Sequence, residues 1–341
     1  MKKQIEDALK QLKKNATGRA TGFVIGNTSD FFTDAKFYQI PIRETDGLIY
    51  GGVIIRDVST ARAIAKLVDG EIEYIFVDDE KKIREEYYGR DDVGNIEKAV
   101  RPLINKSKLL TYKGNDLAVD ATDALLSALL NELGNITVAI IGMGNLGSKI
   151  ALRLVERGVH VRAYRRNQEK LQAIVAGINA VKSPYTHANV RAVVSSEEAC
   201  KDADVVIGAC NEKQVITKDI VRFAREHPVL IDAGKGCFSN ELAEDTSNLI
   251  YRIDVSMLQK YLFVGLIEIQ NHFTTPLGRR AIPEFGETLI SIGLLGARGE
   301  IIVDDIGNPK RFIGISAGDG TLLPASESRT KRLSALEEYL A

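Results

Sequence analysis

The chain has 341 residues, a length that predicts two domains, each large enough to bury a core of its own. Apolar residues make up 45% and charged residues 27%, which excludes an intrinsically disordered chain. With 45 basic and 46 acidic side chains, the net charge of -1 gives no global attraction to nucleic acid or to an anionic membrane, so we expect neither as a partner.

The cysteine pattern bounds the compartment and the metal chemistry. Cys200, Cys210 and Cys237 are an odd number without a CxxC pair, which argues against a disulfide framework and against a zinc site. We therefore expect no metal and a reducing, cytoplasmic location. The N-terminus lacks the apolar segment of a signal peptide, and no stretch reaches the roughly 18 apolar residues of a membrane span.

Residues 1–115 have the pattern of an N-terminal α/β substrate domain. A surface helix is followed by three apolar, β-rich runs with a helical segment between the last two: Ile5–Leu12, Gly22–Ile25, Leu48–Ile55, Ser59–Val68 and Ile72–Val77. The polar loop Asn27-Thr28-Ser29-Asp30, with Lys36 soon after, is suited to reading a small substrate or is an ordinary loop. The charge-dense stretch Glu80–Asp92 predicts a solvated loop or helix face rather than a binding patch.

Residues 116–255 have the pattern of a dinucleotide-binding domain. Leu117–Leu133 predicts an apolar helix bridging the domains, with Asp120 and Asp123 near its start, where carboxylates cap free amides. An apolar strand then leads into Gly142-Met143-Gly144-Asn145-Leu146-Gly147, which is followed by a helical pattern and a second strand. In this context the three glycines permit a tight turn, close approach of a pyrophosphate and close helix–strand packing.

The residues after the second strand predict the nucleotide. Where an NAD site usually has an acid for the ribose hydroxyls, this chain has Tyr164-Arg165-Arg166-Asn167. Guanidinium groups bind a 2′-phosphate in fork geometry, so the sequence favours NADP over NAD. The alternative is that both arginines belong to a solvated turn.

Further strand-like runs predict a doubly wound parallel Rossmann sheet. Because ligands bind at the carboxyl ends of such strands, we expect Ala209 and Cys210 beside the cofactor, and Asp232-Ala233-Gly234-Lys235-Gly236 near the reacting end. Residues 256–341 predict the long helix Met257–Ile269 and a β-hairpin, which pack back on the cleft or form a dimer interface. The apolar helix favours a homodimer.

This layout resembles the amino-acid-dehydrogenase-like Rossmann superfamily. The segment Ala121-Thr122-Asp123-Ala124 is similar to the Asn-Thr-Asp-Gly segment of shikimate dehydrogenases, and Arg165-Arg166-Asn167 is similar to their clamp on the NADP phosphate. The resemblance implies a catalytic role for Asp123. A second resemblance, to D-2-hydroxyacid dehydrogenases and the dipicolinate synthase A subunit, rests on Leu230–Gly236, with Lys235 where those families have a substrate-binding arginine.

Three residues are candidates for catalysis, each with a plain structural alternative. Lys235 could hold a carboxylate or polarise a carbonyl, or be an exposed turn lysine. Asp123 could protonate or orient the substrate, or cap its helix. His272, four residues after Glu268, could be a general acid, or a surface histidine at a helix end.

The sequence as a whole predicts an NADP-dependent oxidoreductase. It would transfer a hydride to or from a carbonyl or imine of a small polar metabolite, a keto or hydroxy acid or an amino-acid derivative. Cys210 and Cys237 follow strand ends near the cofactor, so they have a redox or nucleophilic role or fill space as small apolar residues. The alternatives for the chain are a non-catalytic NADP sensor and a synthase without net redox change.

Overall fold

The computed structural model describes residues 1–28, 35–87, 90–274 and 276–340. They form two compact units, Met1–Val264 and Gly265–Ala341. The first unit contains both large sheets, so the predicted boundaries at residues 115 and 255 lie inside it, and the division into three domains stays a prediction. No helix within the described ranges is long and apolar enough to cross a membrane.

The first sheet has five strands in the order β2-β3-β1-β4-β7. Its elements, with the flanking helices and a ribbon beyond β4, are α1 (Lys2–Asn15), β1 (Ala20–Asn27), β2 (Phe37–Glu44), β3 (Leu48–Ile55), α2 (Val58–Val68), β4 (Tyr74–Asp78), β5 (Ile83–Tyr87), β6 (Arg90–Gly94), α3 (Ile96–Val100) and β7 (Lys108–Tyr112). Strands β3, β1, β4 and β7 are parallel, and β2 is antiparallel to β3. Strand β1 is almost wholly buried, as expected for a parallel strand covered on both faces.

The second sheet has six parallel strands in the order β10-β9-β8-β11-β12-β13. Its elements are α4 (Gly114–Leu129), β8 (Thr137–Ile141), α5 (Asn145–Glu156), β9 (His160–Tyr164), α6 (Gln168–Val181), β10 (Val190–Ala192), α7 (Ser196–Cys200), β11 (Val205–Gly208), α8 (Lys218–Val221), β12 (Val229–Asp232), α9 (Asn240–Glu244) and β13 (Ile250–Arg252). Counted from β8, this is the strand order of dinucleotide-binding folds. The predicted α/β fold with parallel sheets is confirmed.

Apolar side chains cover both faces of the second sheet. One cluster includes Val138, Ile140 and Ile150, and another includes Ala139, Val206 and Leu230, so alternate residues of each strand face opposite layers. In the first sheet, Phe76 stacks on Phe263 with ring centroids 3.9 Å apart. Phe263 belongs to α10 (Ser256–Thr274), the helix that continues into the second unit.

The second unit carries a small four-stranded sheet in the order β14-β15-β16-β17. Its elements are β14 (Arg279–Ile282), β15 (Glu287–Ser291), β16 (Ile301–Val303), β17 (Phe312–Ile315) and α11 (Glu327–Leu340). Strands β16 and β17 pair antiparallel across the turn that contains Asn308 and Pro309, at the position of the hairpin in the sequence. Leu336 of α11 packs into the core of this sheet.

Three local predictions were wrong in detail. The charge-dense stretch after Glu80 is neither a loop nor a helix, because β5 and β6 pair as an antiparallel ribbon. The sequence pattern is helical over Thr217–Glu226, but helix α8 ends at Val221. Helix α4 begins at Gly114, so Asp120 and Asp123 lie in its interior and cannot cap its first turn.

Candidate functional site

The first unit contains a cleft of about 1120 Å³. Residues at the carboxyl ends of both parallel sheets line it: Asn27, Asp78 and Tyr112 follow or end β1, β4 and β7, while Ile141, Tyr164 and Ala209 end or follow β8, β9 and β11. Parallel strands present ligand sites at this edge. The cleft therefore has two walls, the glycine-loop wall on the six-stranded sheet and the strand-end wall on the five-stranded sheet.

The glycine-loop wall depends on positions where a side chain does not fit. Gly142 has a φ of +108°, a left-handed conformation that favours glycine, and a Cβ there would lie 2.6 Å from the main chain of Cys210. A Cβ on Gly147 would overlap the carbonyl oxygen of Gly142. These two glycines serve the packing of the loop against β11 and α5.

Gly144 differs, because a Cβ at this position would meet no atom of the chain within 4 Å. Its φ is −91°, which any residue adopts. The chain therefore has no internal need for glycine here. Gly144 is the N-cap of α5 and makes no side-chain cap, so the first amides of that helix face the cleft unpaired by a side chain. This open cradle at a helix N-terminus fits the pyrophosphate of a dinucleotide.

The two arginines after β9 both line the cleft. Arg165 donates through Nη1 to the carbonyl oxygen of Met143 at 2.6 Å, which holds its guanidinium against the glycine loop. Arg166 forms an ion pair of 2.5 Å with Glu212, and its side chain is 77% exposed. An exposed pair of this kind contributes about 0–1 kcal/mol, so Arg166 can exchange Glu212 for an anionic ligand at little cost.

Lys235 also lines the cleft, on the loop after β12. The buried carboxylate of Asp232 shapes this loop by accepting from the amide of Gly236 at 2.6 Å. Gly236 has a φ of +84°, which closes the turn. The ammonium of Lys235 donates to the hydroxyl of Thr28, so one hydrogen bond joins the two walls.

The strand-end wall is built from buried polar side chains. Asn27 donates to the carbonyl oxygens of Asp78 at 3.0 Å and Glu80 at 2.9 Å, whereas its own Oδ1 is buried without a hydrogen-bond partner among the described residues. Asp78 accepts from the amide of Gly114 at 3.1 Å and pairs with Lys82 at 3.2 Å. The wall thus keeps an unused acceptor and an ammonium group at the cleft.

Two tyrosines and a glutamine complete this wall. Tyr112 and Gln259 line the cleft, and the hydroxyl of Tyr50 donates to Oε1 of Gln259 at 3.4 Å. Burial raises the pKa of Tyr112 well above its ordinary value and raises the pKa of Tyr50 to about 12. Both phenols therefore stay protonated near neutral pH and act as hydrogen-bond donors.

Asp123 is absent from the described residues that line the cleft. It lies on α4 and pairs with Arg157 and, at 3.5 Å, with Arg153, while Asp120 pairs with Arg153 at 2.8 Å. Both acids are therefore held by Arg153 of α5 and by Arg157 directly after it, rather than by helix capping. The resemblance to shikimate dehydrogenases, which gave Asp123 its catalytic role, stays a prediction.

His272 belongs to the second compact unit. Its Nε2 lies 2.7 Å from the carbonyl oxygen of Ile292, and its ring meets Phe273 edge-on with centroids 5.1 Å apart. These contacts give the histidine a structural place within that unit. His272 is not among the described residues that line the cleft.

The remaining predicted cofactor contacts divide by their role. Most of them line the cleft: Gly142, Gly144, Asn145, Leu146, Tyr164, Ala209 and Cys210. Gly147 instead acts through its packing against Gly142.

In the predicted substrate loop, Asn27 and Thr28 line the cleft, while Ser29 and Asp30 lie outside the described residues. Sequence reasoning missed several cleft residues, among them Tyr38, Lys81, Lys82 and Gln259. The charge run hid the lysines, and no local signal marks the other two.

A family model agrees with the central part of this description. Residues 137–236 match the family described as "NADP oxidoreductase coenzyme F420-dependent". The matched segment runs from β8 to the Lys235 loop, so it contains the glycine loop and both arginines. It supports a Rossmann domain that takes an NAD(P)-type nucleotide and a general oxidoreductase character. No curated protein matches the chain.

Solved structures give weaker similarities over most of the chain. Ornithine carbamoyltransferase from Pyrococcus furiosus is 10% identical with a TM-score of 0.42, covering 78% of this chain and 93% of that one. Dipicolinate synthase A chain from Bacillus subtilis is 14% identical with a TM-score of 0.36, covering 75% and 99%. D-Lactate dehydrogenase from Escherichia coli is 10% identical with a TM-score of 0.34, covering 74% and 96%. Similarity at this level assigns no activity.

Proposed function

We propose that the protein is an NADP-dependent oxidoreductase that transfers a hydride to or from a carbonyl or imine of a small polar metabolite. The observation that carries this proposal is the meeting of two sheet edges at one cleft. One wall offers a glycine loop, a helix N-terminus and two arginines, and the other offers buried polar groups. A nucleotide and a second, small reactant can therefore share the space.

On the glycine-loop wall, each part of a dinucleotide has a matching group. The amides at the start of α5 would hold the pyrophosphate, because they point to the open side of Gly144. Arg165 and Arg166 would hold the 2′-phosphate, which distinguishes NADP from NAD. When bound, the nicotinamide ring supplies or accepts the hydride.

The chain itself must orient the reacting group and move a proton. Lys235 comes from the loop after β12 and reaches across to Thr28 of the opposite wall, so its ammonium sits where a carbonyl oxygen or a carboxylate would be held. Lys82 supplies a second positive charge in the cleft, and the Asn27 Oδ1 atom supplies an acceptor. This set favours a keto acid, a hydroxy acid or an amino-acid derivative.

The nucleotide is tested by fluorescence titration of the protein with NADPH and NADH. We expect NADPH to bind more tightly, and we expect the R165A/R166A double variant to lose about tenfold or more in NADPH affinity while NADH binding is unchanged. The matched control is E212Q, which frees Arg166 from its ion pair and should tighten NADPH binding slightly. Equal binding of both nucleotides to the unmodified protein would contradict the NADP assignment.

The chemistry is tested by a screen of keto acids and imines with NADPH, with coenzyme F420 added because the matching family's description contains it. With any substrate found, K235A should lower kcat/KM about 10²–10³-fold, the range for loss of one group that stabilises developing charge. K235R keeps the charge and should retain more activity. A K235A variant with full activity would remove Lys235 from the mechanism.

One observation favours the alternative of a non-catalytic NADP sensor. Of the three predicted catalytic residues, Asp123 is held by arginines and His272 belongs to the second unit, so Lys235 stands alone in the cleft-lining set. A sensor would bind NADPH with the same dependence on the arginines, show no turnover in the screen, and change its oligomeric state on binding.

We further propose that the protein is a cytoplasmic homodimer. Analytical ultracentrifugation of the purified protein measures its oligomeric state and tests the dimer.

A further inference from the structure

Two cysteines from different strands meet at the edge of the cleft. Cys210 follows β11 and lines the cleft, and Cys237 follows β12 and is fully buried. Their Sγ atoms are 3.3 Å apart, and the Cys237 thiol donates to the carbonyl oxygen of Cys210 at 3.3 Å. The third cysteine, Cys200, is buried at the end of α7 and has no such pairing among the described contacts.

Glycines make this close approach possible. A Cβ on Gly208 would lie 2.5 Å from Cβ of Cys237, and a Cβ on Gly234 would overlap Sγ of Cys237. Any larger residue at either position would force Cys237 to move. A pair used only to fill space has no need of two glycines around it, because larger apolar side chains fill space equally well.

The two thiols have unequal chemistry. The hydrogen bond between the two thiols lowers the pKa of Cys210 below its ordinary value, whereas the same contact and burial raise the pKa of Cys237. Cys210 is also the more exposed of the two. Because the thiolate is the reactive form, Cys210 is the attacking sulfur and Cys237 the resolving one.

We propose that Cys210 and Cys237 form a peroxide-sensitive dithiol site whose oxidation to a disulfide reshapes the glycine-loop wall. The Cys210 thiolate attacks one peroxide oxygen, the O–O bond breaks, and the other oxygen leaves as water after taking a proton. The resulting sulfenic acid is attacked by Cys237 sulfur, the S–O bond breaks, and a second water leaves with the Cys237 proton. Both sulfurs are oxidised, one peroxide is reduced, and an S–S bond has formed.

Closing the bond has a defined mechanical consequence. The sulfurs must approach from 3.3 Å to about 2.05 Å, which draws the main chain of Cys210 toward the loop after β12. That main chain packs directly against Gly142, at 2.6 Å from where its Cβ would be. This part of the inference rests on the proposed nucleotide site, and we expect the Kd for NADPH to rise about tenfold on oxidation.

The experiment treats the full chain with hydrogen peroxide, blocks free thiols, and maps the products by peptide mass spectrometry. The expected product is one Cys210–Cys237 disulfide with the loss of two hydrogen atoms, reversed by dithiothreitol. C210S and C237S should each abolish it. C200S is the matched control and should form it normally, with each variant checked by thermal melting. C210A and C237A repeat the test should a serine variant fail to fold.

Four outcomes separate the possibilities. Oxidation of Cys210 to sulfinic acid without a disulfide overturns the site, and so does equal reaction of Cys200. A disulfide that leaves NADPH affinity unchanged overturns the effect on the glycine-loop wall. If the reduced protein does not bind NADPH, the proposed function fails, and the disulfide map alone then supports or overturns the dithiol site.

Discussion

Two junctions between a parallel strand and the next helix are built oppositely in this protein. At the end of β3, Asp57 caps α2: its carboxylate accepts from the Thr60 amide at 2.7 Å and from the Ser59 and Thr60 hydroxyls. At the end of β8, Gly144 occupies the same N-cap position of α5 and offers no side chain. One helix supplies its own anion, and the other leaves its first amides for an anion from outside.

The difference shows what makes a helix N-terminus a binding site. Both helices have the same partial positive charge at their start, since it arises from the peptide dipoles. At α2 that charge and one amide are already satisfied by Asp57, so a phosphate there would meet a carboxylate. At α5 the partial positive charge and the first amides of the helix are available to a ligand, and they lie at the cleft. The cap residue, more than the helix, decides whether a nucleotide can bind.

The largest expected effect comes from giving α5 the cap of α2. In G144D the new side chain fits, because no atom lies within 4 Å of its Cβ, and its carboxylate can accept the Leu146 or Gly147 amide. We expect the Kd for NADPH, measured by titration, to rise about 100-fold, while the free energy of unfolding stays equal or increases by about a few tenths of a kcal/mol.

G144A and G144N are the controls for this change. G144A adds the Cβ without a carboxylate and reports the steric part of the loss. G144N adds a neutral capping group and reports the part that depends on amide occupancy without charge. NADPH binding to G144D as tight as to the unmodified protein would mean that the pyrophosphate does not lie at α5.

A second change tests packing instead of capping. In G147A the added Cβ overlaps the Gly142 carbonyl oxygen, so the helix must move from the strand. We expect the free energy of unfolding to fall by about 1–3 kcal/mol in a denaturant titration. G177A, in the interior of α6 with open space around it, is the matched control and should raise stability by up to about 1 kcal/mol. A G147A variant as stable as G177A would contradict the packing role.

The smallest effect is expected at the α2 junction. D57A removes the cap and should lower the free energy of unfolding by about 0.5–2 kcal/mol at pH 7. Burial opposes ionisation of Asp57, but hydrogen bonds from Ser59 and Thr60 outweigh it and lower the pKa of the carboxyl. The folded pKa thus lies below the unfolded value of about 3.9, and the stabilisation is present above that value.

The lowered pKa of Asp57 determines how the stabilisation by the cap changes with pH. The difference in stability between D57A and the unmodified protein should be constant above about pH 5 and shrink as the pH falls below about 4 through the folded pKa. Urea titrations across this range measure it, and NADPH binding should be unaffected throughout. A difference that grows toward low pH would contradict the ionised cap.

The two walls of the cleft also differ in how far the sequence predicts them. The glycine-loop wall follows from local spacing: Gly142, Gly144 and Gly147 lie within six consecutive residues, and each acts through the backbone next to it. The two arginines could be predicted because they directly follow the next strand along the chain, β9. Most positions that line this wall of the cleft could therefore be predicted from the sequence, although the reason for each glycine needed the structure.

The strand-end wall could not be read in the same way. Asn27 belongs to the predicted polar loop, but Asp78, Tyr112 and Gln259 are brought to it by tertiary folding and share no spacing along the chain. The predicted start of α4 lies three residues after its actual start at Gly114. Asp123 therefore lies in the helix interior, where it pairs with Arg153 and Arg157. Charge density hid Lys82, since a run of charges is the common pattern of a solvated surface.

The Oδ1 atom of Asn27, which has no hydrogen-bond partner among the described residues, has a thermodynamic consequence. A buried acceptor without a donor costs the folded protein about 1–3 kcal/mol. A substrate that donates to this atom recovers that cost on binding, so binding and folding are linked through a single amide. Replacing Asn27 by an apolar residue would remove this acceptor, but it would also remove the two hydrogen bonds that the side-chain amide donates to the carbonyl oxygens of Asp78 and Glu80. The free energy of unfolding is therefore lower in the absence of a ligand than the fold would allow, and a ligand that donates to this atom raises it.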